Sequence, residues 1–177
     1  MPESDSIIAS GRAFALARAT SDDADAILAI LEDAARWLVA RGIDQWHPGD
    51  FLRSSLLRII ARGEVYLARC ENDPAGTLTL QWEDVPTWGV MPPDAAYVHG
   101  FAVHRAYAGL GLGRALLDWA SDQAIEGGKT YLRLDCLASN PALRAYYERA
   151  GFTLRGFVDD DQSALYERSV RESEVRR

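Results

Sequence analysis

Cysteine is scarce: this chain of 177 residues carries only Cys70 and Cys136. Their separation matches no metal-ligand or redox spacing, which excludes a cysteine-built metal centre and a disulfide scaffold. Both read as small buried hydrophobes, kept reduced in strands of a cytoplasmic protein. Long apolar runs are missing too; none approaches the ~20 residues of a membrane span. The N-terminus lacks the basic-then-apolar order of a secretion signal. Basic charge is in deficit, with a formal net charge of −7. Neither nucleic acid nor an anionic membrane is therefore an expected partner. There is no internal repeat, low-complexity tract or evident linker, so one domain is expected.

What is present suits a soluble globular protein: 48% hydrophobic residues and five tryptophans. The chain is long enough to bury a proper core. We place the domain at residues 12–170, between a flexible segment 1–11 and a charged tail 171–177. Ala13 to Ala19 reads as a strand. Thr20-Ser21-Asp22 then caps a helix bearing Ile27, Leu28, Leu31, Ala35 and Leu38 at helical spacing. A second helix runs from about Asp50 to Ala61. Val65–Cys70 and Thr77–Trp82 read as a hairpin around the turn Glu71–Gly76. Residues 83–93 read as a loop. Tyr97–Val103 is a strand, and Leu112–Glu126 is a helix stopped by Gly127-Gly128. Tyr131–Leu137 is a strand. Asn140-Pro141 opens a helix, with Asn as cap and Pro at the first helical position. Phe152–Val158 and Ala164–Val170 form a final pair around Asp159-Asp160-Asp161.

The segment Ala108-Gly109-Leu110-Gly111-Leu112-Gly113-Arg114 stands out. A helix N-terminus leaves amides unpaired and locally positive, and small residues let an anion approach them. A turn alone would need one glycine; three alternating ones point to a phosphate cradle, with Arg114 as a cation beside it. A dinucleotide fold fits less well. Its third glycine would fall at Arg114, the spacer His104–Ala108 separates strand from loop, and too little chain follows Asp135. No Gly-Lys-Ser/Thr follows, which excludes a P-loop.

The run from Val103 to Leu117 resembles the acetyl-CoA signature of the GCN5-related N-acetyltransferases (GNAT). Asn140-Pro141-Ala142-Leu143-Arg144-Ala145-Tyr146-Tyr147-Glu148-Arg149-Ala150-Gly151-Phe152 resembles that family's second signature. The clear resemblance covers residues 97–157. It implies an α/β (α+β) fold: one domain with a mixed, mostly antiparallel sheet of about six or seven strands and about four helices, splayed where the pantetheine arm inserts. It also implies acetyl-CoA as cosubstrate, with no metal. Phe101, Ala102, Val103, Ala108, Gly109, Leu110, Gly111, Leu112, Gly113, Arg114, Asn140 and Tyr147 would meet the cofactor. Ala108 departs from the pattern, standing where the family supplies Arg or Gln.

Acetylating an amine needs a neutral nucleophile, a donor for the thioester oxygen and a proton for the thiolate. The resemblance makes Tyr147 the general acid; it shares a helix face with Asn140. Of the adjacent rings Tyr146 and Tyr147, one is expected in the core and one in the cleft. Asp135, Glu83 and His99 are the candidate bases. By strand alternation His99 shares a face with Tyr97, Phe101 and Val103, which makes a core histidine an equal reading. The strand amide near Ala102 or Val103 would hold the oxygen. Asp44, Gln45, Trp46, Trp82 and Glu83 would meet the acceptor, with Trp88 completing an aromatic wall and Asp84 adding negative charge. The expected activity is acetyl-CoA-dependent acetylation of a primary amine by direct attack in a ternary complex. A non-catalytic CoA sensor is the alternative, and a dinucleotide-binding oxidoreductase a distant one. A homodimer is possible.

Overall fold

Ser10 and Gly11 both adopt left-handed backbone, at φ 48° and 74°. Two such residues make the hairpin turn that matches strand twist. They join β1 (Ser4–Ala9) to β2 (Arg12–Arg18), paired from Ser4↔Ala17 to Ala9↔Arg12. The expectation of a flexible segment 1–11 is thus corrected: residues 4–9 form an edge strand. The computed structural model describes residues 4–171. Residues 1–3, and residues 172–177 of the tail expected at 171–177, lie outside the described residues.

The remaining elements are α1 (Ala24–Ala40), α2 (Arg53–Ala61), β3 (Val65–Cys70), β4 (Asp73–Gln81), α3 (Val85–Trp88), β5 (Ala95–Val103), α4 (Leu112–Glu126), β6 (Tyr131–Leu137), α5 (Pro141–Arg149), β7 (Thr153–Val158) and β8 (Ser163–Ser169). Strand order is β1-β2-β3-β4-β5-β6-β8-β7. Pairing is antiparallel for β1/β2, β2/β3, β3/β4, β6/β8 and β7/β8, and parallel for β5/β6. The sheet is mixed and mostly antiparallel, with eight strands rather than six or seven because β1 adds to those read from the sequence. The extra helix is the single turn α3. β4 begins at Asp73, four residues earlier than expected, because Glu71 (φ 56°) lets the chain reverse at once. A register shift at Ala68/Arg69 accommodates Pro74, which has no amide to give.

The chain divides into two compact units. The first holds residues up to Thr79 with Gly100–Leu117. Its core gathers Ile27, Ile30 and Leu31 of α1, Leu56 and Ile60 of α2, Val65 and Leu67 of β3, and Ala102 of β5. The helices earn this place through one apolar face each. The second unit holds Leu80–His99 and the chain from Asp118 on. There Arg133 is buried within reach of Tyr97 Oη (2.9 Å), Glu167 (2.8 Å) and Asp94 (3.2 Å). Gly100, at φ 52°, interrupts the pleat of β5, so faces assigned by alternation hold only as far as His99.

Candidate active site

The first unit contributes the glycine loop. Gly109 and Gly111 both sit at φ 78°, a backbone that side chains resist, and a Cβ on either would meet nothing within 4 Å. The loop is therefore open toward solvent at the start of α4. Leu112 anchors it from below, being 1% exposed. α4 comes close to β4 at Gly76, where a Cβ would lie 3.2 Å from Leu116 and 3.3 Å from the Ala102 carbonyl. The spacer before the loop is itself built. His104 N–H donates to the Ala75 carbonyl (2.8 Å), and His104 Nδ1 accepts from Ala106 N–H (3.2 Å). Arg105–Tyr107 form a 3-10 turn, and Arg105 N–H reaches Asp33 of α1 at 3.3 Å. Ala108, Gly109, Gly111 and Arg114 are exposed; Phe101, Val103, Leu110 and Gly113 are half-buried, and Ala102 is buried.

The loop after α1 belongs to the same unit. Trp46 lies against the core and meets Phe51 edge-on at 5.3 Å. Asp44 is exposed and stands 3.0 Å from His47 Nε2; Gln45 is half-buried.

The second unit contributes the titratable groups. Parallel pairing sets Tyr97 beside Arg133. Two residues further along each strand, His99 and Asp135 share a face, with Nδ1 and Oδ1 4.0 Å apart. The other imidazole nitrogen, Nε2, lies 3.2 Å from Asp84 Oδ2. Asp84 caps α3: its Oδ1 accepts from Thr87 N–H at 3.2 Å. Its side chain is 6% exposed, against 29% for His99 and 27% for Asp135. Burial pushes the Asp135 carboxyl above the usual range; the charges of Asp84 and Asp159 add to this and His99 opposes it. Asp159 leads the turn Asp159-Asp160-Asp161, whose three residues all have left-handed backbone.

Asp84, His99 and Asp135 offer ligand atoms within 4.8 Å of one another, a set that could also hold a cation. Glu83 is exposed and stands outside that three-residue group. In the sequence alone Asp84 stands out only as added negative charge. Its signal was the capping pattern Asp84-Val85-Pro86-Thr87, an Asp before a helix with an early proline.

α5 starts as its sequence predicts, with Asn140 Oδ1 accepting from Leu143 N–H at 3.1 Å. Of the adjacent tyrosines, Tyr146 is half-buried and Tyr147 is the buried one. It is 6% exposed, ringed by Tyr146, Phe152 and Tyr166 at 5.6, 5.9 and 6.2 Å. Burial drives its phenol well above the ordinary range, so it stays protonated. Burial also pushes the Cys136 thiol up to about 11, which leaves it a poor nucleophile. The two tryptophans have different partners. Trp82 lies over Gly127 and Lys129, and Trp88 stands edge-on to Tyr97 at 6.1 Å.

The acetyltransferase (GNAT) family model matches residues 27–152. A Bacillus subtilis (strain 168) protein described as the uncharacterised N-acetyltransferase YesJ is 32% identical, over 86% of this chain and 88% of its own. The fold matches a GNAT-family acetyltransferase of Listeria monocytogenes 4b F2365 at TM-score 0.80 and 30% identity, over 93% of this chain and 99% of that one. It also matches YncA of Salmonella typhimurium, solved with acetyl-CoA, at TM-score 0.66 and 18% identity, over 89% and 94%. No helix among the described residues is long and apolar enough to cross a membrane.

Proposed function

The chain belongs to the acetyltransferase (GNAT) family and is an N-acetyltransferase, and from that premise we propose that it uses acetyl-CoA and that its acceptor is a primary amine that enters as a cation. The observation that carries this reading is the carboxylate pair Asp84 and Asp135 on either side of His99. Three acidic groups, with Asp159, bear on that spot, and their field favours an ammonium over an anion.

In this reading the amides from Gly109 to Arg114 take the CoA pyrophosphate, helped by the helix macrodipole of α4. Ala108 supplies no side-chain contact, so the backbone carries the phosphates. The strand amide near Ala102 or Val103 stabilises the thioester oxygen as it turns negative. The amine attacks directly while both substrates are bound, and Tyr147 gives its proton to the departing thiolate. Asn140 fixes the start of the helix that carries Tyr147. Asp44, Gln45 and Trp46, and separately Trp82, contribute to the acceptor side. We place the reaction in the cytoplasm.

A screen of amines, amino acids and carboxylate-bearing acceptors, read by thiol release from acetyl-CoA, tests the reading. Cationic primary amines are expected to turn over fastest. Faster turnover of acidic acceptors would overturn the acceptor class. Acetyl-CoA binding without any turnover would favour the sensor instead.

A further inference from the structure

His99 sits between two carboxylates that it meets through different nitrogens. Nε2 and Asp84 Oδ2 are 3.2 Å apart, both are shut off from solvent, and neither has another hydrogen-bond partner among the described residues. Leaving two such atoms buried is costly unless they serve each other. A carboxylate beside Nε2 favours the ring proton there, which leaves the lone pair on Nδ1. Nδ1 faces Asp135 across 4.0 Å. That gap is too long for a direct hydrogen bond. It suits a third group, a cationic nitrogen, that would touch both sides.

We propose that His99 is the general base of the acetyl transfer, that Asp84 is the residue positioning it, and that the acceptor ammonium binds between Nδ1 and Asp135. This rests on the amine-acetylating reading above and names its base. Asp84 is placed for the task. Its Oδ1 is tied to the Thr87 amide of α3, so its Oδ2 is held against the imidazole. The charged groups facing His99 are Asp84 from the segment before α3 and Asp135 from β6, with Asp159 of the β7–β8 turn acting on Asp135. Arg133, the next residue of β6 on that face, is occupied by Tyr97, Glu167 and Asp94.

The proton count closes. The bound ammonium gives one proton to Nδ1 and becomes a neutral amine. Its nitrogen attacks the thioester carbonyl; the C–N bond forms and the C–S bond breaks. Tyr147 protonates the sulfur, and the nitrogen's second proton returns to Tyr147 through water. His99 then releases its proton to solvent. One ammonium and one acetyl thioester give one amide, one thiol and one proton.

The test compares wild type, His99→Gln and Asp84→Asn in kcat/KM against pH, with the best alkylamine of the screen as acceptor. Acetyl-CoA affinity and thermal stability are measured alongside. At neutral pH, His99→Gln is expected to lose about 100-fold or more, the low end of general-base catalysis. The deficit should shrink as pH rises toward the amine's own pKa, near 10.4 for a lysine-like amine. Asp84→Asn should show the same pH pattern with a smaller loss of about 10-fold, a positioning effect carried through the imidazole. Acetyl-CoA affinity should hold in both. A loss equal at every pH, or no loss, overturns the assignment. So does activity lost to a chelator and restored by a divalent cation, because the three side chains would then be metal ligands. Wild type that acetylates no amine at all would instead sink the underlying reading.

Discussion

The Ser10 hydroxyl donates to the Leu110 carbonyl across 2.8 Å, tying the β1–β2 turn to the glycine loop. The loop is thus held by a hairpin that lies far from it in sequence. Gly111→Ala puts a methyl on a backbone at φ 78°. The left-handed conformation then costs about 1–2 kcal/mol, and the amides lose their approach path. We expect acetyl-CoA affinity, by calorimetry, to fall about 10-fold or more. Ser10→Ala removes one exposed hydrogen bond, so a fall of a few-fold is expected, about 0.5–1 kcal/mol. Unchanged affinity in Gly111→Ala would mean that the pyrophosphate lies elsewhere.

Arg168 serves stability in the second unit. It is 6% exposed and donates to Asp118 (3.0 Å), to the Ala150 carbonyl that ends α5 (2.8 Å) and to the Ser121 hydroxyl. Its guanidinium also lies 4.9 Å from the Phe152 ring. Arg168→Ala strips all of these at once and orphans a buried carbonyl. We expect unfolding by denaturant to show a loss of about 3–5 kcal/mol. Arg168→Lys should recover only part, since one ammonium cannot match the planar fork. A loss under ~1 kcal/mol would show that water replaces the network.

Local order was legible where sequence and packing agree. β3, α4 and β6 begin and end where their periodicity and stop signals put them. β1 was hidden because its first three residues are polar, Ile7 and Ile8 form too short an apolar pair to read alone, and it needs β2 to be a strand. α3 was hidden because one turn of helix has no periodicity to read. At the site, the glycine loop and the Asn140 cap are local features and could be read directly. His99 and Asp135 could be nominated singly, but their meeting follows from parallel register, a non-local fact. Glu83 was preferred to its neighbour because strand-end reasoning cannot tell which of two adjacent acids turns inward. Asp84 turns inward because it caps α3.

Asp135 makes a prediction for stability against pH. Burial raises its pKa above the unfolded value, so the folded chain holds the proton more tightly. Its favourable contribution is full below the ordinary carboxylate pKa, near 3.9, and is lost as pH rises through the raised folded value. Asp135→Asn removes the cost of ionising a buried carboxyl. The variant should therefore melt higher than wild type at neutral pH, and the gap should close as pH falls toward 4. Thermal denaturation in a pH series checks this. A gap that stays constant, or reverses at neutral pH, would show that the His99 attraction outweighs burial.

Tyr147→Phe separates chemistry from packing at the buried phenol. The ring contacts with Tyr146, Phe152 and Tyr166 are aromatic and survive the change. Stability should therefore move by less than about 1 kcal/mol. Acetyl-CoA affinity should hold as well, because the pyrophosphate cradle is untouched. Turnover should fall about 100-fold if the hydroxyl protonates the departing thiolate. Because burial keeps the phenol protonated well beyond the usual range, it can donate throughout an ordinary assay. The deficit should then be the same at every pH from neutral to mildly alkaline, unlike the pH-dependent deficit expected of His99→Gln. Steady-state kinetics with both variants distinguishes acid from base. Full turnover in Tyr147→Phe would make this ring a core residue and leave the thiolate to take its proton from water.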